Sequence, residues 1–302
     1  MKKIALAIAV ILSINISSSW ADNGLGESSP EPVVTSATNV RYVKVPRFVR
    51  PLVEKWITEY AKTEPGVVFQ IVKGSQAKDA IDLNVVFNNQ PTTDDHKDFS
   101  HHIVYFGEFA VLPITASGSE AAKALEGKHL NSKKLKQLFF VGDEFEEEEQ
   151  KNKLFEHLTI YSGSSTSSIA GTFANNFGEE SSSFRGKRIS GDDLFLNTAL
   201  EKDPSGVSFN ALPNIFDLQS RRLKGGLSLI GLELKKNLEE KFANTSTLDD
   251  VIGVLESGHL AEVPVERIGV SYNGVDSAVK AFVEWVLTDG VRYNHEYGLL
   301  NL

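Results

Sequence analysis

A run of hydroxyl side chains between a predicted strand and a predicted helix is the part of this sequence that could do chemistry. Ser162-Gly163-Ser164-Ser165-Thr166 follows the apolar stretch 158–161 and precedes the helical pattern of Ile169, Phe173 and Phe177. The free N–H groups and the positive dipole of a helix N-terminus attract anions, and hydroxyls add further donors. Serine and threonine also cap helices without any ligand. These residues alone therefore leave an anion site and a simple helix cap both open.

A second strand–turn–helix unit lies near the beginning of the chain. Residues 39–45 alternate as a strand does, and Pro46 is a favoured first helical residue. Arg47 lies on that first turn, where its charge could face an anion, although a solvated arginine is the alternative. The apolar face of a helix follows as far as Tyr60, and 67–72 is the next predicted strand. The chain thus opens with a β-α-β unit.

The elements that must position these turns indicate an α/β fold. The long apolar segment 103–115 is suited to a crossing between two lobes, and 207–210 and 214–217 are predicted to be extended segments of a return crossing. Alternating strands and helices predict sheets that are covered by helices on both faces. Ligands bind beyond the carboxyl ends of strands in such sheets. The loops at 45–47, 74–75 and 162–166 could therefore converge between two facing lobes.

The first residues are typical of an export signal. Met1-Lys2-Lys3 precedes the apolar stretch 4–14, and Ser19-Trp20-Ala21 is a small-x-small cleavage pattern. We predict a cleaved signal peptide at 1–21 and a flexible, Ser- and Pro-rich N-terminus at 22–37. A lipid-anchored signal needs a cysteine, and the chain has none. The predicted location is the periplasm.

Composition excludes some classes of partner. Of the 302 residues, 41% are hydrophobic, which is enough for a full core. The net charge is −9, and loss of Lys2 and Lys3 with the signal peptide lowers it to −11. This acidic balance argues against nucleic acid as a partner, while a small anion is still compatible with it because local N–H groups decide that contact.

Two other chemistries receive little support. Asp94-Asp95-His96 and His101-His102 could ligate a metal, but their spacing fits no defined zinc pattern and the run is typical of a solvated loop. Ser164 could be a hydrolytic nucleophile, but Gly163 precedes it directly and the Gly-x-Ser-x-Gly elbow is absent. We therefore predict a protein that is not an enzyme and that needs no metal or cofactor.

Across most of its length, from about Val40 onward, the chain resembles the substrate-binding proteins of phosphate ABC transporters. In that family a Thr-Phe opens the first helix and a Lys-Trp follows, and Asp-Gly-Ser-Gly-Thr forms the central turn. Similar segments here are the first helix 47–56, the Gly-Ser loop 74–75, the crossing strand 109–115 with the helix 135–139 after it, the central turn 162–166, and the return 204–209.

The resemblance implies a two-lobed periplasmic binding protein of the second type, with mixed sheets flanked by helices and a double hinge crossing. We expect lobe I to comprise 38–108 and 232–302, and lobe II to comprise 109–231. The resemblance also implies a set of ligand-binding residues, in which Phe48 contributes its backbone N–H: Arg47, Phe48, Ser75, Ser162, Gly163, Ser164, Ser165 and Thr166.

The departures from the family pattern concern charge. The family has an arginine shortly before the turn's glycine, where this chain has Ile160 and Tyr161, and an aspartate where this chain has Ser162. A further aspartate accepts the proton of hydrogen phosphate, and the matching region 85–87 has no carboxylate. A buried O–H donor without an acceptor costs about 1–3 kcal/mol, so discrimination for phosphate should weaken. Arg47, in place of a threonine, could supply positive charge.

Two functions follow from this resemblance. In the first, the chain is an exported, monomeric protein that captures inorganic phosphate or a similar tetrahedral oxyanion between two lobes and delivers it to an ABC transporter permease. In the second, it is an envelope-located structural, adhesion or sensing protein of the same fold that has lost phosphate binding.

Overall fold

The computed structural model describes residues 40–72, 81–87, 101–142 and 155–302. The predicted signal peptide 1–21, the predicted flexible segment 22–37 and the loop that carries Ser75 lie outside the described residues. The described strands are β1 (Val40–Lys44), β2 (Val68–Ile71), β3 (Leu83–Phe87), β4 (His101–Ala116), β5 (Thr159–Ser162), β6 (Lys187–Arg188), β7 (Gly206–Ala211), β8 (Leu227–Leu229) and β9 (Val265–Asn273).

The long strand β4 belongs to two groups of strands. Along 101–110 it pairs antiparallel with β9, and along 111–115 it pairs antiparallel with β7. We call β1, β2, β3, β9 and residues 101–110 the first half, and β5 to β8 with residues 111–116 the second half. The strand order is β2-β1-β3-β9-β4-β7-β5-β6, and β8 also pairs with β4. The long crossing strand predicted from 103–115 is thus present, whereas the lobe boundaries at 108/109 and 231/232 stay a prediction.

Helices fill the connections and cover the strands. Asn131, Ser167 and Thr247 begin helices with side-chain oxygens that accept from backbone N–H groups in the first turn. None of the helices in the described ranges is both long and apolar enough to cross a membrane. The α-helices are α1 (Arg50–Thr63), α2 (Glu120–Leu125), α3 (Ser132–Phe139), α4 (Ser168–Asn176), α5 (Leu194–Lys202), α6 (Leu212–Ile215), α7 (Lys236–Glu239), α8 (Leu248–Ser257) and α9 (Ser277–Thr288).

One predicted extended segment is wrong in its first two residues. The sequence predicts that residues 214–217 continue the return crossing, but Leu212–Ile215 forms the short helix α6, and extended backbone resumes at Phe216, which bridges to Leu223. Pro213 lies in its first turn, where the missing N–H of proline costs nothing and its fixed φ suits a helix. The adjoining prediction at 207–210 is confirmed, since these residues lie within β7.

Each half has its own aromatic core. In the first half, Trp56 packs edge-on against Phe106, and Phe69 stacks on Phe282. In the second half, Phe173 stacks on Phe209 with ring centroids 4.1 Å apart. Phe139 and Phe184 also contact Phe209. These stacked and edge-on rings fix the strands that lead into both predicted turns.

The last residues pack against the middle of β4. Leu300 exchanges two backbone hydrogen bonds with Glu108, and buried Asn294 donates through Nδ2 to the Phe106 carbonyl at 2.8 Å. A Cβ at Gly107 would lie only 2.7 Å from the Leu300 carbonyl oxygen, so glycine permits this close approach. The segment thereby braces β4 just before it changes partner from β9 to β7.

Candidate functional site

The turn after β1 is fixed by an aromatic side chain. Pro46 is extended and leads into a short 3-10 helix, Arg47–Val49, which runs directly into α1. The buried Phe48 ring lies 5.9 Å from Phe87 and 5.1 Å from Phe109, centroid to centroid. With Phe48 packed inward, Arg47 points outward, and its side chain is 66% exposed.

The turn after β5 is fixed by hydrogen bonds. Ser167 is the N-cap of α4, and its hydroxyl accepts from Ala170 N–H at 3.2 Å. This confirms the strand–turn–helix prediction for the hydroxyl-rich run. Ser162 at the end of β5 is fully buried, and its hydroxyl has no hydrogen-bond partner among the described residues. A buried polar atom without a partner is costly, so this hydroxyl is unusual.

The remaining hydroxyls of the turn lie nearer to solvent. Ser165 and Thr166 are exposed and Ser164 is half-buried. Ser164 Oγ and Thr166 Oγ1 lie 3.0 Å apart and share a hydrogen bond, and the Ser164 carbonyl accepts from Ser167 N–H at 2.9 Å. Because a hydroxyl rotates freely, these groups can turn their O–H bonds toward a ligand at the N-terminus of α4.

A carboxylate lies at the same turn. Ser167 Oγ donates to Asp193 Oδ1 at 2.7 Å, and a Cβ added at Gly163 would also lie 2.7 Å from that oxygen. Burial raises the pKa of Asp193 from 3.8 to about 6; the Ser167 hydrogen bond opposes this shift, and the neighbouring charge of Asp192 adds to it. Glycine at 163 therefore leaves room for an acid that changes its charge near pH 6.

A buried amide network holds Asp193 in this position. Asn210 on β7 donates through Nδ2 to the Asp193 carbonyl at 2.8 Å and to Asn197 Oδ1 at 3.1 Å. Asn214 on α6 in turn donates to Asn210 Oδ1 at 2.8 Å. Asn210 and Asn214 are buried, so their hydrogen bonds fix the start of α5 relative to β7.

An ion pair joins the two turns. Arg47 Nη1 pairs with Asp192 Oδ2, and the next residue, Asp193, accepts from Ser167. Arg47 follows a strand of the first half, whereas Asp192 and Ser167 belong to connections of the second half. The structure thus brings predicted residue Arg47 and the hydroxyl turn to one region through Asp192 and Asp193. Predicted residue Ser75 lies outside the described residues.

Sequence reasoning missed both of these acids as site residues. The resemblance directed attention to 85–87 as the place for a carboxylate, and that region has none. Asp193 is the N-cap residue of α5 but makes no side-chain cap bond, and it is Asp192 whose Oδ1 accepts from Leu194 N–H at 2.9 Å. One acid suffices for a cap, so the second acid in the pair was the available signal.

The other two chemistries considered from the sequence, a metal site and a serine nucleophile, have no supporting geometry among the described residues. Asp94, Asp95, His96 and the side chain of His101 lie outside the described residues, and His102 packs beside Tyr272. Within the described ranges, no cluster of three or more His, Cys, Asp or Glu side chains could hold a metal ion. The Ser164 hydroxyl contacts Thr166, which is not a base that activates a serine.

Comparisons with known proteins bear on the fold. No protein-family model matches the sequence, and no curated protein matches it. An ABC-type phosphate transport receptor from Vibrio cholerae is similar in structure, with a TM-score of 0.54 and 11% identity over 87% of this chain and 100% of that chain. A Clostridium perfringens structure, described as a phosphate ABC transporter substrate-binding protein with bound phosphate, has a TM-score of 0.59 with the same identity and coverage. The predicted periplasmic binding-protein fold is therefore confirmed.

Proposed function

We propose that this chain is an exported solute-binding protein that captures phosphate or a similar tetrahedral oxyanion between its two halves, for uptake by an ABC transporter. The observation that carries the proposal is that Arg47 and the hydroxyl turn at α4 belong to different halves and are joined through Asp192 and Asp193. The two similar solved structures, whose descriptions name phosphate transport, support the same class of ligand.

The binding residues would act as hydrogen-bond donors. The first-turn N–H groups of α4 and the hydroxyls of Ser164, Ser165 and Thr166 would surround the oxygens of the anion. Arg47 would add a planar guanidinium that pairs with two oxygens at once. Bending of the two halves toward each other would then bury the anion without breaking or making a bond.

Asp193 gives the proposed site a means of discrimination. Above pH 6 it is a carboxylate, which accepts the O–H of hydrogen phosphate but repels sulfate, which has no proton to give. The aspartate that accepts the phosphate proton in the resembled family, and that residues 85–87 lack, would thus be replaced by a carboxylate from the start of α5.

Titration calorimetry on the purified protein tests this proposal. The ligands are phosphate, sulfate, arsenate, molybdate and a phosphomonoester, each added at pH 7.5 after exhaustive dialysis. We expect saturable micromolar binding of phosphate, weaker binding after the double substitution Ser164→Ala/Thr166→Ala, and loss of the preference over sulfate in Asp193→Asn. Thr58→Ala on α1, where the hydroxyl donates to the Glu54 carbonyl at 2.8 Å, is the matched control.

The results separate the parts of the proposal. Unchanged phosphate affinity in Ser164→Ala/Thr166→Ala would show that the assigned turn is wrong. Preference of the wild type for sulfate or molybdate would show that Asp193 does not accept a ligand proton. Size-exclusion chromatography tests the expected monomer, and N-terminal sequencing of the secreted protein tests cleavage after Ala21.

One observation favours the alternative, an envelope-located structural, adhesion or sensing protein that no longer binds phosphate. Arg47 is already paired with Asp192, and Ser167 already donates its hydroxyl hydrogen to Asp193. These two donors of the site therefore have partners within the chain. Absence of heat with every anion, in a folded sample, would support this alternative.

A further inference from the structure

The Arg47–Asp192 ion pair has one exposed and one buried member. The Arg47 side chain is 66% exposed, whereas the Asp192 side chain is 9% exposed. The two residues lie 145 positions apart in the sequence and belong to different halves of the strand arrangement. The ion pair therefore ties the start of the first helical segment to the start of α5.

The carboxylate is held in place independently of the arginine. Asp192 Oδ1 accepts from Leu194 N–H at 2.9 Å, and Oδ2 is the oxygen that pairs with Arg47. Among the described residues, the only hydrogen bond of the Arg47 side chain is the one to Asp192, and 66% of that side chain is exposed. Separation of the pair would therefore move Arg47 rather than Asp192.

We propose that Asp192 is an internal substitute for the ligand. Its carboxylate pairs with Arg47 and holds the two halves together until an oxyanion displaces it. This inference rests on the proposed function for the identity of the displacing anion. A guanidinium presents the same planar fork to a carboxylate and to a phosphate or sulfate oxygen pair, so the two anions compete for one cation. An ion pair with an exposed arginine is weak, which makes the exchange accessible to a ligand that also binds the hydroxyl turn.

The substitution Asp192→Asn tests the proposal, because the amide keeps an oxygen for Leu194 N–H and removes only the charge. We expect Asp192→Asn to bind phosphate or sulfate about tenfold more tightly than the wild type, since Arg47 is released. Without any anion, small-angle scattering should show a larger radius of gyration for Asp192→Asn than for the wild type.

Two further variants make the result specific. Asp289→Asn removes a charge of the same sign at the end of α9, away from both turns, and should change neither measurement. Arg47→Gln/Asp192→Asn should bind anions no better than Arg47→Gln alone, because the gain depends on the freed guanidinium.

The outcomes are distinguishable from failure of the proposed function. If the wild type binds an anion and Asp192→Asn binds it equally or more weakly, the internal-substitute proposal is overturned. If neither protein binds any anion, the proposed function fails, and the radius of gyration still decides whether Asp192 holds the halves together. An unchanged radius in that case overturns this proposal as well.

Discussion

The two turns that meet at the candidate site are built in different ways. The turn after β1 has no side-chain cap on either its 3-10 helix or α1, and it is fixed by the buried ring of Phe48. The turn after β5 is fixed by polar contacts: the Ser167 cap, the Asp193 carboxylate and the amide network around Asn210.

The difference decides which polar atoms are free for a ligand. Packing of an apolar ring fixes a backbone without using its hydrogen-bond donors. Hydrogen bonds fix a backbone by using the same donors that an anion would need, as Ser167 shows by donating to Asp193. The position of the first turn therefore depends on the packing of Phe48, and the second turn is the part where ligand binding and stability are coupled.

The largest effect is expected where the first turn is packed. Phe48→Ala should lower the free energy of unfolding by about 3–5 kcal/mol, because it leaves a cavity between Phe87 and Phe109. Urea unfolding followed by fluorescence measures this. Phe195→Ala is the matched control, since that ring is 50% exposed and its removal should cost less than about 1 kcal/mol. Equal costs for the two variants would contradict a turn fixed by packing.

The second prediction concerns the charge at the second turn. The pKa of Asp193 is raised to about 6 in the folded protein, so the native state holds a proton more firmly than the unfolded chain between about pH 4 and 6. The wild type should therefore lose stability relative to Asp193→Asn as the pH rises through this window. The difference should reach at most about 3 kcal/mol above pH 6 and vanish below pH 4.

Parallel urea titrations of the wild type and Asp193→Asn at several pH values measure this difference. The comparison removes the contributions of other acids, such as Asp249 and Asp250, whose pKa values are lowered by their hydrogen bonds to Arg221 and Lys241. A difference that does not depend on pH would mean that Asp193 titrates normally.

The smallest of the three effects is expected at the cap. Ser167→Ala should lower the free energy of unfolding by about 1 kcal/mol through the lost bond to Ala170 N–H. It should also raise the pKa of Asp193 further, because the Ser167 hydroxyl is the group that opposes the shift. Ser165→Ala, at an exposed position of the same turn, should leave both quantities unchanged. The Asp193 carbon resonance followed by NMR across the pH range reports the pKa.

The fold was largely predictable because its strands and helices are strongly periodic. The strand predicted at 158–161 is β5, the helix beginning near Ile169 is α4, and the long crossing segment is β4. These elements rest on local apolar patterns, which a single sequence displays. The failure at 214–215 arose because a four-residue helix such as α6 has no periodic pattern to detect.

The candidate site was predictable only in part. The hydroxyl turn and Arg47 each follow a recognisable strand, so their local structure could be predicted. The contribution of Asp192 and Asp193 could not, because it depends on the pairing of β7 with β4 and on the amide network that orients the start of α5. Such long-range contacts leave no mark in the spacing of nearby residues.

The packing of residues 265–302 against β4 also has a consequence for the order of folding. β4 spans 101–116, yet among the described strands its first ten residues pair with β9, and the Glu108–Leu300 pairing forms only once residue 300 is present. A chain emerging from the ribosome must therefore carry this apolar strand incompletely paired until residue 300 has been made. Contacts between such distant segments slow folding, because the entropy of closing a long loop is lost before the pairing can stabilise it.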